Sequence, residues 1–217
     1  MQRPETPSSG FEVFALARLM QSQRVLALKI VYYGPGLSGK TTNLEQLHAQ
    51  FPKEDRGDLL KLDTETERTL FFDYFPAELG KLSGFKLKAD LFTVPGQSFY
   101  HTTRRVVLEG ADGIVFVADS DPRREEANFA SLENMTENLS SYGRELTDVP
   151  VVMQWNKRDL PDALAVKLLE RTLNPHHFPS VEASAFAGEG VKETHDQVLK
   201  LVLQDLKAKA RSRRRSR

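Results

Sequence analysis

The chain has 217 residues, of which 40% are hydrophobic, and its 30 Lys and Arg balance 30 Asp and Glu. That composition is globular, the length suits one domain with extensions, and the zero net charge singles out no polyanionic or polycationic partner. Cysteine is absent, which excludes disulfides, zinc–cysteine sites and thiol chemistry.

The first nine residues are rich in Pro, Ser and Thr and are expected to be disordered. Phe11, Phe14, Leu16, Leu19 and Met20 then recur at near-helical spacing. They read as a short helix packed on the domain, with a helix that docks on a partner or membrane as the sharper alternative. Residues 1–24 form an N-terminal extension, 25–209 a folded domain, and 210–217 an arginine-rich, disordered tail. Met1–Gly10 has no apolar run of the kind a secretory leader needs, and Lys29 interrupts the best candidate for a membrane span. A cytoplasmic protein is expected.

Apolar, strand-like runs alternate with amphipathic stretches from Leu26 onward. Strands are predicted at Leu26–Tyr33, Leu70–Phe75, Phe85–Thr93, Ile114–Ala118, Pro150–Trp155 and Val181–Ser184. Helices are predicted at Lys40–Gln50, Phe99–Leu108, Arg124–Tyr142, Asp162–Leu173 and Val191–Lys209. The second and third strands are joined only by Pro76–Gly84, too short for a crossover helix, so that pair must be antiparallel. The expected fold class is α/β: a three-layer P-loop NTPase fold with six strands, one of them antiparallel, and helices on both faces. Such a sheet binds ligands at the carboxyl ends of its strands.

Between the first strand and first helix lies Gly34-Pro35-Gly36-Leu37-Ser38-Gly39-Lys40-Thr41. It fits the phosphate-loop pattern G-x-x-x-x-G-K-[ST] at every fixed position and in the strand–loop–helix context the motif requires. Glycines let the backbone turn its N–H groups toward phosphates, and the helix that starts at Lys40 and runs through Thr42 directs its positive end at the same anion. Lys40 would reach the β- and γ-phosphates, and the Thr41 hydroxyl would bind Mg²⁺.

Asn156-Lys157-Arg158-Asp159 follows the apolar strand ending at Trp155 and chooses the base. The Asp159 carboxylate offers two acceptors that match the N1–H and N2–H₂ donors of guanine; adenine has no such pair and would leave a carboxylate unmatched. The Lys157 stem would lie over the ring, and Asn156 would tie this loop to the phosphate loop. A backbone N–H of Ser184-Ala185-Phe186 would meet the guanine O6. These features imply GTP or GDP with Mg²⁺. An ATP-dependent kinase of similar topology is a third reading, weakened by Asp159.

The third predicted strand ends in Thr93-Val94-Pro95-Gly96-Gln97. Here the Gly96 N–H would meet a γ-phosphate and Gln97 would orient the attacking water. An aspartate that holds Mg²⁺ through water is usual at the Thr93 position; Asp73, on the neighbouring strand, would be the substitute or else a solvated strand residue. Thr69 is placed to sense Mg²⁺ and the γ-phosphate. Arg68 beside it is either an arginine finger supplied in cis or a surface partner of Glu65 or Glu67.

Val31–Leu37, Thr64–Asp73, Thr93–Gln97 and Asn156–Pro161 together closely resemble the MglA-type bacterial Ras-like GTPases. The likeness runs from about Leu26 to Lys207. It implies a small GTPase switch of cell polarity, gliding motility or type IV pili, recruited to a cell pole. It also implies a roadblock-type GAP dimer, MglB-like, that aligns the enzyme's own Arg68 and Gln97, and effector proteins that bind the GTP state. In the family the second strand shifts between nucleotide states. The N-terminal extension and the arginine tail go beyond the family core, and Ser184-Ala185-Phe186 follows the general Ras-like form, as in a divergent paralogue. Five of the last seven residues are arginine; the tail is read as a solubilising end in preference to a contact for nucleic acid or anionic lipid. A GTP-binding interaction module with negligible hydrolysis is the alternative to the switch.

Overall fold

The computed structural model describes residues 24–62, 72–82, 84–96 and 100–215. Seven strands form one sheet: β1 (Val25–Tyr33), β2 (Leu60–Leu62), β3 (Phe72–Leu82), β4 (Phe85–Thr93), β5 (Gly113–Asp119), β6 (Val151–Asn156) and β7 (Ser180–Glu182). Their spatial order is β2-β3-β4-β1-β5-β6-β7. All pairings are parallel except β2 with β3 and β3 with β4, so β3 alone runs against the rest.

Alternation along β1 sends Leu28, Ile30 and Tyr32 into one core and Val31 and Tyr33 into the other. The first core packs on α1 (Lys40–Gln50) through Leu44 and Leu47, and on α5 (Val191–Arg215) through Val191, Val198 and Val202. The second packs on α2 (His101–Leu108), α3 (Glu125–Ser140) and α4 (Val166–Leu173). Trp155 is fully buried in this second core, and its ring N–H donates to Glu170 Oε1 at 3.0 Å. Lys29, the one cation inside β1, reaches the carbonyl of Glu109 at 2.7 Å; burial lowers its pKa to about 8.

The structure departs from the sequence expectation by more than two residues in four places. A seventh strand, β2, adds to the six expected; three residues are too few to show a period. β3 continues through Pro76 and Gly80 to Leu82, where Pro76–Gly84 was expected to be a connection. Proline is tolerated because the Pro76 carbonyl accepts from the Gly57 N–H on the outer side, so the N–H it lacks would have faced that side too and costs β4 no bond. α4 begins at Val166, not Asp162: the Leu164 N–H donates to Ser120 and its carbonyl accepts from Arg158, so this backbone serves loops instead of a helix. α5 runs beyond Lys209 to Arg215, through residues expected to form a disordered tail. No glycine or proline interrupts that stretch, arginine is a good helix former, and cations suit a helix C-terminus.

Parallel pairing aligns the carboxyl ends of β1, β4, β5 and β6. Tyr32 lies beside Thr93, Tyr33 beside Phe116, and Asp119 beside Asn156. Among the described residues, the phosphate loop after β1, Val94–Gly96 after β4 and Lys157–Asp159 after β6 leave from this edge.

Candidate functional site

The phosphate loop leaves β1 at Gly34 and enters α1 at Lys40. Gly39 has φ 97° and ψ 19°, left-handed, at the helix N-cap. A Cβ there would sit 2.3 Å from the Asn156 side-chain nitrogen, so only glycine fits. The first turn of α1 carries no acidic residue and no side-chain cap, which leaves its N–H groups to the loop side. Lys40 is buried; its ammonium donates to the carbonyls of Gly34 at 2.9 Å and Pro35 at 2.6 Å. Burial pushes its pKa down to about 7; Arg104 and Arg124 add to the effect and Asp73 opposes it. A buried cation with no carboxylate in these bonds, facing free helix amides, fits a polyphosphate.

Asn156 joins this loop to the base side. Its Nδ2 donates to the Ser38 carbonyl at 2.7 Å, and its Oδ1 accepts from the Ala185 N–H at 2.8 Å. Ser184 donates to Asp159 Oδ1 at 2.6 Å and so orients that exposed carboxylate. Lys157 has φ 67°, a conformation few non-glycine residues take, and its ammonium bonds the fully buried Asp119 at 2.6 Å. Phe186 is largely exposed, as is Leu37 in the phosphate loop. The Ala185 N–H is engaged by Asn156, and the triplet meets Asp159 through the Ser184 hydroxyl, a contact the sequence did not disclose.

At the other end, Thr41 Oγ1 donates to Asp73 Oδ2 at 2.5 Å. Thr93 Oγ1 donates to the same oxygen at 3.0 Å and accepts from the Asp73 N–H at 2.8 Å. A carboxylate from β3 thus lies in contact with both Thr41 and Thr93. Two hydroxyls and a carboxylate oxygen form a hard donor set that fits Mg²⁺. Gly96 packs on the loop tip: its carbonyl accepts from the Gly36 N–H at 3.1 Å, and a Cβ on Gly96 would lie 2.3 Å from Gly36 Cα. Arg68, Thr69 and Gln97 lie outside the described residues. Thr42 is half-buried in the first turn of α1.

Three residues absent from the sequence reading belong to this edge. Asp119 ends β5 and holds Lys157. Arg124 donates to the Gly36 carbonyl at 2.6 Å. Arg104 on α2 donates to Asn134 at 2.8 Å and, at 3.4 Å, to the carbonyl of Pro95, one residue before Gly96. Asp119 had a signal, an acidic residue directly after a wholly apolar strand; the two arginines had none, since their partners are backbone carbonyls or distant in sequence. His101 starts α2 and meets Arg104 and Asn134.

The family model described as the Ras family matches residues 29–204. The chain is 50% identical over 186 residues to the mutual gliding-motility protein MglA of Myxococcus xanthus (strain DK1622), covering 86% of this chain and 95% of that protein. It is 26% identical over 196 residues to ADP-ribosylation factor-like protein 4C of Homo sapiens, covering 87% of this chain and 94% of that one.

Proposed function

The chain belongs to the Ras family, in its MglA-type branch, and is a GTPase; we propose that it is a polarity or gliding-motility switch, with the residues of the strand edge in the following roles. The phosphate-loop amides from Gly34 to Thr42 and the Lys40 ammonium hold the triphosphate. Asp159, oriented by Ser184, accepts from N1–H and N2–H₂ of guanine. The Lys157 stem, anchored by Asp119, lies over the ring, and Phe186 flanks the base pocket. Thr41, with Asp73 behind it, holds Mg²⁺, which when bound offsets charge on the phosphate oxygens. Gln97 orients the water, the Gly96 N–H and Thr69 sense the γ-phosphate, and Arg68 offsets the charge that develops between the β- and γ-phosphates.

Hydrolysis of a phosphoanhydride needs positioning and charge more than base strength. A roadblock-type GAP dimer, MglB-like, would act by bringing Arg68 and Gln97 into register. GTP-state effectors of a motility system would read the same segments, and the switch would work at a cell pole. No helix among the described residues is long and apolar enough to cross a membrane.

The observation that carries the reading is the Asn156 side chain, bonded at once to the phosphate loop and to Ala185. It fixes the distance between the end that holds phosphates and the end that selects the base. Competition of GDP against ADP should favour GDP by about 10³-fold or more. Single-turnover hydrolysis of GTP with Mg²⁺ should be slow alone and rise when a roadblock-type partner is added. Preference for ADP would overturn the base assignment; tight GTP binding with no phosphate release in either condition would overturn the switch cycle.

A further inference from the structure

We propose that Arg124 is a positioning residue for GTP hydrolysis, a guanidinium strut that ties the loop-tip peptide of Gly36 to the base-side pair Asp119–Lys157. The proposal rests on the GTPase reading above and extends it to a residue outside every recognised motif.

Arg124 ends the 3₁₀ turn Pro122–Arg124 that follows β5, a turn capped by the Asp121 carboxylate on the Arg123 N–H at 2.9 Å. The turn aims the Arg124 side chain back across the strand edge. Its Nη2 donates to the Gly36 carbonyl at 2.6 Å. Its Nε lies 3.8 Å from the Asp119 carboxylate, near enough for charge attraction but too far for a hydrogen bond. That Nε is buried and has no hydrogen-bond partner. Asp119 is itself fixed: its Oδ2 takes the Lys157 ammonium at 2.6 Å and its Oδ1 the Asp121 N–H at 3.1 Å, while Asn128 clasps its main chain at 2.9 and 2.8 Å.

The Gly36 peptide is where this strut matters. Its N–H donates to the Gly96 carbonyl at 3.1 Å, and the Gly96 backbone lies against it so closely that no side chain fits. Gly36 is thus held by Arg124 through its oxygen and by Gly96 through its nitrogen. Gly96 immediately precedes Gln97. A shift of the Gly36 peptide would be transmitted to the residue that places the attacking water, and misplacement by about 1 Å costs on the order of a hundredfold in rate. The guanidinium spreads its charge over separate nitrogens, so Nη2 bonds the Gly36 carbonyl while Nε stays 3.8 Å from the Asp119 carboxylate; a lysine's compact ammonium cannot occupy both positions at once. The Arg124 charge also reaches the phosphate-loop lysine, so it lies within the field of the polyphosphate end.

The test uses the full-length protein with Arg124→Ala, Arg124→Gln and Arg124→Lys. Three quantities are read: GDP affinity, affinity for a non-hydrolysable GTP analogue with Mg²⁺, and single-turnover GTP hydrolysis with the GAP. The expected result is GDP affinity within about threefold of the parent, a fall of about 10- to 100-fold in hydrolysis, and a lower ratio of GTP-analogue to GDP affinity. Lysine should not restore the rate, whereas added guanidinium ion should partly rescue the alanine variant. If the alanine variant does not fold, the glutamine and lysine variants carry the same readouts. Hydrolysis and affinity ratio both unchanged, or a loss of GDP affinity that matches the loss of rate, would overturn the strut. Failure of the parent protein to bind guanine nucleotides would instead overturn the GTPase reading, and failure only to hydrolyse still leaves the affinity ratio to decide the role of Arg124.

Discussion

Single side chains at the strand edge carry the most specific expectations. Asp73 meets Thr41 and Thr93 through one oxygen, and in the proposed function it is the carboxylate behind Mg²⁺. Removing the charge with Asp73→Asn should raise the Mg²⁺ concentration for half-maximal GTP hydrolysis by about tenfold, as the loss of outer-shell partners does elsewhere. A magnesium titration identical to the parent's would show that Asp73 is only a strand residue. Asp159 gives a second test. In Asp159→Asn the amide oxygen still accepts from N1–H, but its NH₂ now faces the guanine amino group. Xanthine carries a carbonyl there, so the variant should lose GDP affinity by at least about a hundredfold and gain affinity for xanthosine diphosphate. Unchanged guanine preference would remove Asp159 from base recognition. At this scale the motifs were legible because the loop and its flanking strand and helix are contiguous in sequence. Arg104 and Arg124 were not, because each acts on a partner brought close only by folding; Arg124 is 88 residues from Gly36.

Among elements, α5 shows how tertiary context changes what a segment does. His195, on its first turns, is buried with its ring 5.7 Å from Phe51 at the end of α1, and neither ring nitrogen has a hydrogen-bond partner. Burial lowers its pKa to about 4; Asp196 opposes the shift and Lys192 adds to it. The folded pKa lies below the usual 6.5, so the unfolded chain takes up the proton first as pH falls. Stability from this group is therefore complete above about pH 6.5 and declines toward pH 4, by about 2 kcal/mol at pH 5. Urea unfolding at pH 8 and pH 5 should show that difference in the parent and a smaller one in His195→Leu. Equal losses in both proteins would acquit the histidine. The same helix ends at Arg215, past the expected start of a disordered tail, because composition speaks of charge while helix continuation depends on propensity and on pairs such as Asp205–Lys209 at 2.6 Å. β2 and the far half of β3 were hidden for a related reason. Pro76 and Gly80 are local break signals, but pairing with β4 and a proline turned toward the outer side outweighed them.

For the molecule as a whole, the site is assembled from the ends of separate strands, so ligand and fold are linked. GDP with Mg²⁺ at about a hundred times its dissociation constant should add about 2.7 kcal/mol to stability, and a chelator should remove part of it. For a domain of this size that corresponds to a rise in Tm of about 5–10 °C; ADP should have little effect. A Tm insensitive to guanine nucleotide would contradict a site held at the strand edge. The sequence by itself determined the strand–loop–helix around Gly34–Thr41, the place of Asn156–Asp159 at a strand end, six of the seven strands with the five helices in chain order, and the antiparallel second pair, since each depends on residues adjacent in the chain or on a period of two or 3.6. Only the tertiary structure decided that Asp73 stands beside Thr93, that Asn156 spans from Ser38 to Ala185, and that Arg124 holds Gly36. Those contacts depend on strand register and on the turns beyond each strand, and no local pattern encodes a distance between side chains that many residues separate.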